Sequence, residues 1–181
     1  MIKILAIAGS IRKNSLHKKL IETAKTLAPE GMTIESFDLS EVPIYNMDLE
    51  PNFPPSVVEL KQRIRDADGV LLGVPEHNYS FSGVIKNTLD WISRPISECP
   101  LEGKPVILQS SGGALGGTRG QYQLRQVLSY LECKQMQFPE FFLINGWEKF
   151  GEDGLLADEA AIAQMKKQLD ALKKFIEHER R

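Results

Sequence analysis

Several features that would narrow the function of a chain are scarce or missing in this one. There are two cysteines, Cys99 and Cys133, which match no metal or redox spacing and are expected to be reduced thiols of a cytoplasmic protein. The three histidines, His17, His77 and His178, are scattered and no carboxylate–histidine spacing accompanies them, so no metal site is expected. No apolar run approaches the length that spans a bilayer. The amino terminus opens directly into a strand-like run, with no charged leader and no small-residue cleavage site, so no secretory signal is expected. The formal net charge is only −2, from 22 basic and 24 acidic residues, which gives no support to a nucleic-acid or membrane partner. Two familiar phosphate loops are also missing from the first strand-to-helix junction. There is no G-x-x-x-x-G-K-[ST], which disfavours a nucleotide triphosphatase, and no G-x-G-x-x-G, which disfavours a dinucleotide fold.

What is present is the profile of a soluble globular chain. With 181 residues, 42% hydrophobic and 25% charged, it suits one domain spanning 1–181. The stretch from Ile2 to Ser15 begins as a nearly unbroken apolar run, the pattern of a strand buried on both faces of a parallel sheet. It stops at Gly9. The loop beyond carries Ser10, Arg12, Asn14 and Ser15, and a helical pattern starts at Leu16. Taken alone, this segment fits two descriptions equally. One is a capped helix start with Ser15 or Asn14 as N-cap; the other is an anion site in which helix N–H groups, hydroxyls and a guanidinium converge on a phosphate.

Further along, apolar spacing predicts a helix over 16–27, an edge strand over 32–39 and a helix over 56–67 capped by Ser56. The proline-rich span 42–55 between them has the length of a functional or mobile loop. Gly69 to Val74 reads as a buried central strand. It is followed by the polar and aromatic loop 75–83 and a helix over 84–92. A strand over 104–109 leads into Ser110-Ser111-Gly112-Gly113-Ala114-Leu115-Gly116-Gly117, where small residues let the backbone approach a flat ligand and leave N–H groups free. As a bare pattern that loop is equally a flexible turn. A helix over 118–131, a strand region over 134–143 broken at Pro139, and a terminal helix over about 157–177 complete the chain.

Strands and helices alternate throughout, which predicts an α/β, doubly wound, flavodoxin-like sandwich with a five-stranded parallel sheet in the order 2-1-3-4-5. In that order the loops after strands one, three and four meet at one sheet edge, beside the switch point. A phosphate site next to peptide groups and aromatic rings suits FMN, with its one phosphate and one planar ring system.

The motifs G-S-x-R-x-x-S at Gly9 to Ser15 and P-E-H-N-Y-S-x-S-G-x-I-K-N-x-L-D-W at Pro75 to Trp91, with the run Gly116 to Gln126, resemble the NAD(P)H-dependent FMN reductase family, which includes quinone, chromate and azo-dye reductases. The resemblance implies that Ser10, Arg12 and Ser15, with Leu16 at the helix start, hold the FMN phosphate. It implies that Pro75, Glu76, His77, Asn78 and Tyr79 border the ring, and that Ser111, Gly112 and Gly113 line its other edge. It further implies NADPH or NADH as co-substrate, a quinone-like or other small acceptor such as FMN, chromate or an azo dye, and a homodimer or homotetramer. Trp91, Tyr122 and Arg125 are candidates for the subunit contact. No catalytic residue is nominated, because the flavin carries the hydride chemistry. Two positions depart from the family pattern, which has tyrosine at His77 and proline at Ser82. The first is expected to alter ring stacking or flavin potential, the second to loosen the loop. The alternatives are a flavodoxin-type electron carrier without nicotinamide oxidation and a flavin-free binding module on the same fold.

Overall fold

The computed structural model describes residues 1–180. Its main sheet is parallel. Strand β1 (Ile2–Ala8) lies between the edge strand β2 (Met32–Phe37) and β3 (Gly69–Gly73), followed by β4 (Pro105–Gly112) and β5 (Phe141–Ile144). The expected order is therefore observed. The β1 ladder sets Ile2 against Met32 on one side and Ile4 against Gly69 on the other. A two-residue strand, Lys134–Gln135, pairs with the start of β4, and β5 pairs with its end. This is the break expected at Pro139, which has no N–H for the ladder.

Strand alternation divides the core in two. Ile4, Ala6, Leu71 and Ile107 point to one face, where they meet Leu20 and Ile21 of α1 (Leu16–Thr26) and Leu169 and Leu172 of α5 (Glu159–Glu179). Leu5, Ile7, Val70, Leu72 and Leu108 point to the other, against α2 (Pro55–Asp66), α3 (Gly83–Ile92) and α4 (Thr118–Tyr130). Side chains of successive strand residues face opposite ways, so an apolar run with helices on both faces fills both layers at once.

Two expectations are corrected. Ser56 does not cap α2, because the helix begins one residue earlier with Pro55, whose fixed φ suits a first turn. Ser56 Oγ instead donates to the Glu41 carbonyl at 2.9 Å. β4 runs three residues beyond 109, because pairing with β5 through Gly112 opposite Ile144 holds Ser110 and Ser111 in the ladder. The proline-rich span is pinned along α3: Asn87 Nδ2 and Trp91 Nε1 each donate to the Pro43 carbonyl at 2.8 Å, and Tyr45 N–H donates to Asn87 Oδ1 at 2.7 Å.

Candidate functional site

Strand pairing brings the three loops together before any side chain is considered. At the carboxyl end of the sheet Gly9 N–H donates to the Gly73 carbonyl and Val74 N–H to the Gln109 carbonyl, which sets the starts of the loops after β1 and β3 side by side, three residues short of the end of β4. Between them lies a hollow of about 310 Å³, open to solvent, lined by Ser10, Ile11, Arg12, Ser15, Leu16, His17, Pro75, Glu76, His77, Val84 and Ser111. Eight residues nominated from the sequence are thus gathered: Ser10, Arg12, Ser15, Leu16, Pro75, Glu76, His77 and Ser111. Asn78 and Tyr79 fall outside the lining, at the tip of a hairpin, and Gly112 and Gly113 lie just past Ser111 at the end of β4.

In the first loop, Ser10 Oγ accepts from Arg12 N–H at 3.3 Å and Ser15 Oγ accepts from His17 N–H at 3.2 Å, so Ser15 is the N-cap of α1. A hydroxyl that accepts from the backbone still has its own proton to give. Neither hydroxyl donates to a protein acceptor among the described residues, and the exposed Arg12 guanidinium has no ion-pair partner there.

The second loop is a two-residue hairpin, Glu76–His77 against Ser80–Phe81. Asn78 and Tyr79 at its tip have φ of +51° and +68°, the left-handed pair that a type I′ turn requires. Tyrosine rarely takes that conformation. α4 holds it there: Gln123 Nε2 donates to the Tyr79 carbonyl at 2.8 Å, and the Arg119 guanidinium lies 3.7 Å from the centre of the Tyr79 ring. The Glu76 carboxylate accepts from Arg119 Nε at 2.6 Å and from the Arg119 and Gly120 amides at 3.1 and 3.4 Å. It thereby caps a helix whose own N-cap is Gly117, which has no side chain to do so. Glu76 lines the hollow as expected, yet its charge is engaged with α4.

Ser82 overturns the expectation of a loosened loop. It is buried, caps α3 by accepting from Ile85 N–H at 3.2 Å, and donates to the Gly9 carbonyl at 2.6 Å. Ser82 links the first and second loops. In the third loop, Ser110 Oγ donates to the Gly116 carbonyl at 2.6 Å and accepts from the fully buried Gln121 at 2.8 Å, which fixes the turn back into α4.

Sequence reasoning missed His17, Ile11 and Val84. In the sequence His17 is one of three scattered histidines. It is buried with Nε2 accepting from Ser111 N–H at 3.2 Å, and its pKa is lowered to about 4, chiefly by desolvation. Its helical spacing two residues after a candidate N-cap, over a glycine-ended strand, was the one available signal. Of the proposed contact residues, Trp91 is fully buried, edge-on to Tyr45 at 5.0 Å, and Arg125 is largely buried 3.7 Å from Glu140. Tyr122 is exposed.

The family model for NADPH-dependent FMN reductase matches residues 2–148. An NAD(P)H-dependent FMN reductase of Pseudomonas aeruginosa is 41% identical, with 97% of this chain and 95% of the relative aligned. A quinone reductase of Escherichia coli is 36% identical over 97% of this chain and 96% of its own. The solved structure of the Paracoccus denitrificans flavoenzyme FerB, an NAD(P)H:(acceptor) oxidoreductase, superposes with a TM-score of 0.90 at 32% identity, covering 99% of both chains.

Proposed function

The chain belongs to the NADPH-dependent FMN reductase family, and from that premise we propose that it is an FMN-dependent oxidoreductase, taking hydride from NADPH or NADH and passing electrons to a quinone or another small acceptor. The observation that carries this reading is the first loop: two serine hydroxyls with protons to give, an Arg12 guanidinium with no ion-pair partner among the described residues and the start of α1, all opening on one hollow. That donor set fits a phosphate monoester. The hollow extends from it to the hairpin and the end of β4, as a flavin ring requires.

Ser10, Arg12, Ser15 and Leu16 hold the phosphate in this reading. Pro75, Glu76, His77, Asn78 and Tyr79 border the ring, with Glu76 acting through the hairpin it anchors. Ser111, Gly112 and Gly113 meet the opposite edge, with the Ser111 amide already donating to His17. Bound FMN supplies hydride acceptance and onward electron release, chemistry that asks no acid or base of the protein. The protein's task is to position the ring, keep the phosphate charge matched and leave one ring face open to nicotinamide and acceptor in turn.

The same reading takes 1–181 as one flavodoxin-like domain of a cytoplasmic homodimer or homotetramer. The exposed Tyr79, Tyr122 and Trp147 support a contact with another copy, and two thiols that form no disulfide support a reducing compartment.

The test is the absorption spectrum of the isolated protein reconstituted with FMN, followed by titration with NADH and NADPH without oxygen. Bleaching of the flavin band followed by its return on adding a quinone is the expected result. A bound flavin that neither nucleotide bleaches would leave an electron carrier, and failure to bind FMN would remove the assignment.

A further inference from the structure

Loops that grip one ligand must keep their relative positions to a fraction of an ångström, and here a single residue, His17, bonds to the first loop through its backbone and to the third through its ring. His17 is the second residue of α1, and its N–H is held by Ser15 in the first loop. Its side chain crosses the last residue of β3, where a Cβ on Gly73 would come within 3.1 Å of His17 Cβ. On the far side, Nε2 accepts from Ser111 N–H near the end of β4. Since Nε2 accepts, the ring proton is on Nδ1, where the Val74 carbonyl favours it.

Resting on the FMN reading above, we propose that His17 is a positioning residue of the flavin site. By accepting from the Ser111 amide, the neutral imidazole clamps the end of β4 to the start of α1 and so fixes where the loop that begins at Gly113 meets the ring.

The surroundings are built to keep the acceptor. Burial opposes a charged ring, and the charged or titratable groups that act on it, Arg12 from the first loop and His77 from the hairpin, oppose it too. β4 brings only the Ser111 amide. A protonated ring would set two N–H groups against each other at the junction of β4 and α1.

The test compares His17→Phe, which keeps the ring volume and loses the acceptor, with His17→Gln, whose side-chain oxygen reaches the Nε2 position. The probe is FMN, read by quenching of its fluorescence and by the shape of its visible band. His17→Phe should retain its far-UV circular dichroism while its Kd for FMN rises roughly tenfold, as loss of one neutral hydrogen bond would give. His17→Gln should recover most of the affinity and the wild-type band shape. Wild-type affinity and band shape in His17→Phe, or a His17→Gln as weak as His17→Phe, would overturn the proposal and leave the FMN reading standing. Wild-type protein that binds no FMN would remove that reading, and the proposal with it. Should His17→Phe not fold, amide exchange in the wild-type holoenzyme decides: slow exchange at Ser111 is expected, and exchange as fast as at the exposed Gly113 refutes the clamp.

Discussion

Ser82 and Gly9 meet across 73 residues of sequence: the serine hydroxyl donates to the glycine carbonyl at 2.6 Å while its oxygen caps α3. One side chain therefore both starts a helix and closes the end of β1. Ser82→Ala should cost about 2–3 kcal/mol, combining a lost N-cap with a buried carbonyl left unpaired. Denaturant unfolding measures it, and a loss under about 0.5 kcal/mol, the range of an ordinary surface change, would contradict this account.

Arg12→Ala separates binding from folding. The guanidinium has no protein partner among the described residues, so unfolding free energy should hold while FMN affinity falls by roughly 1–3 kcal/mol, the worth of a charge-assisted bond. Ser15→Ala should lose comparable affinity together with about 1 kcal/mol of stability, because it also caps α1. Equal FMN affinity in wild type and both variants would refute the phosphate assignment.

Glu76→Gln removes the charge that meets the amino end of α4 and the Arg119 side chain. With the carboxylate side chain 12% exposed and Arg119 37% exposed, solvent screens part of the pairing, and a loss of about 1 kcal/mol is expected. Faster amide exchange through the hairpin and the first turn of α4 should accompany it, and unchanged exchange there would rule the cap out.

Stability should fall in mild acid through His17. Its folded-state pKa is depressed from 6.5 to about 4, so between those values the unfolded chain binds a proton that the folded chain refuses. The contribution is complete above pH 6.5 and disappears progressively as pH drops to about 4, amounting to roughly 3 kcal/mol. Urea unfolding at a series of pH values checks the sign, and His17→Phe should flatten that part of the profile.

Gly146→Ala should disturb the site from outside the hollow. A Cβ there would stand 1.9 Å from Ser111 Oγ, so the serine or the turn must move. Overpacking of this kind costs about 1–3 kcal/mol. A second substitution, Ser111→Gly, which removes the obstructing hydroxyl, should restore much of that stability if the clash is the cause.

Much of this protein is legible along the chain, for a local reason. Apolar runs such as Ile4 to Ala8 and Val70 to Leu72, alternating with helix-spaced Leu20, Leu60, Leu124 and Leu169, dictate strand and helix and hence a parallel sheet with two buried faces. Strand order then follows from connection rules, and with it the meeting of three loops. Residue types alone left the loop of Ser10, Arg12 and Ser15 equally a helix cap and an anion site, and the family resemblance singled out the second. Tertiary structure alone decided what each polar side chain does there. His17 and Ser111 are 94 residues apart, and Glu76 and Arg119 are 43 apart; such contacts leave no periodicity in the sequence. Trp91, exposed or buried with equal ease on a helical pattern, became core because the Pro43 carbonyl and the Tyr45 ring lie against it. Short-range sterics and hydrophobic spacing act between near neighbours and can be read in order, whereas a buried hydrogen bond is settled by whichever donor and acceptor the packed sheet brings face to face.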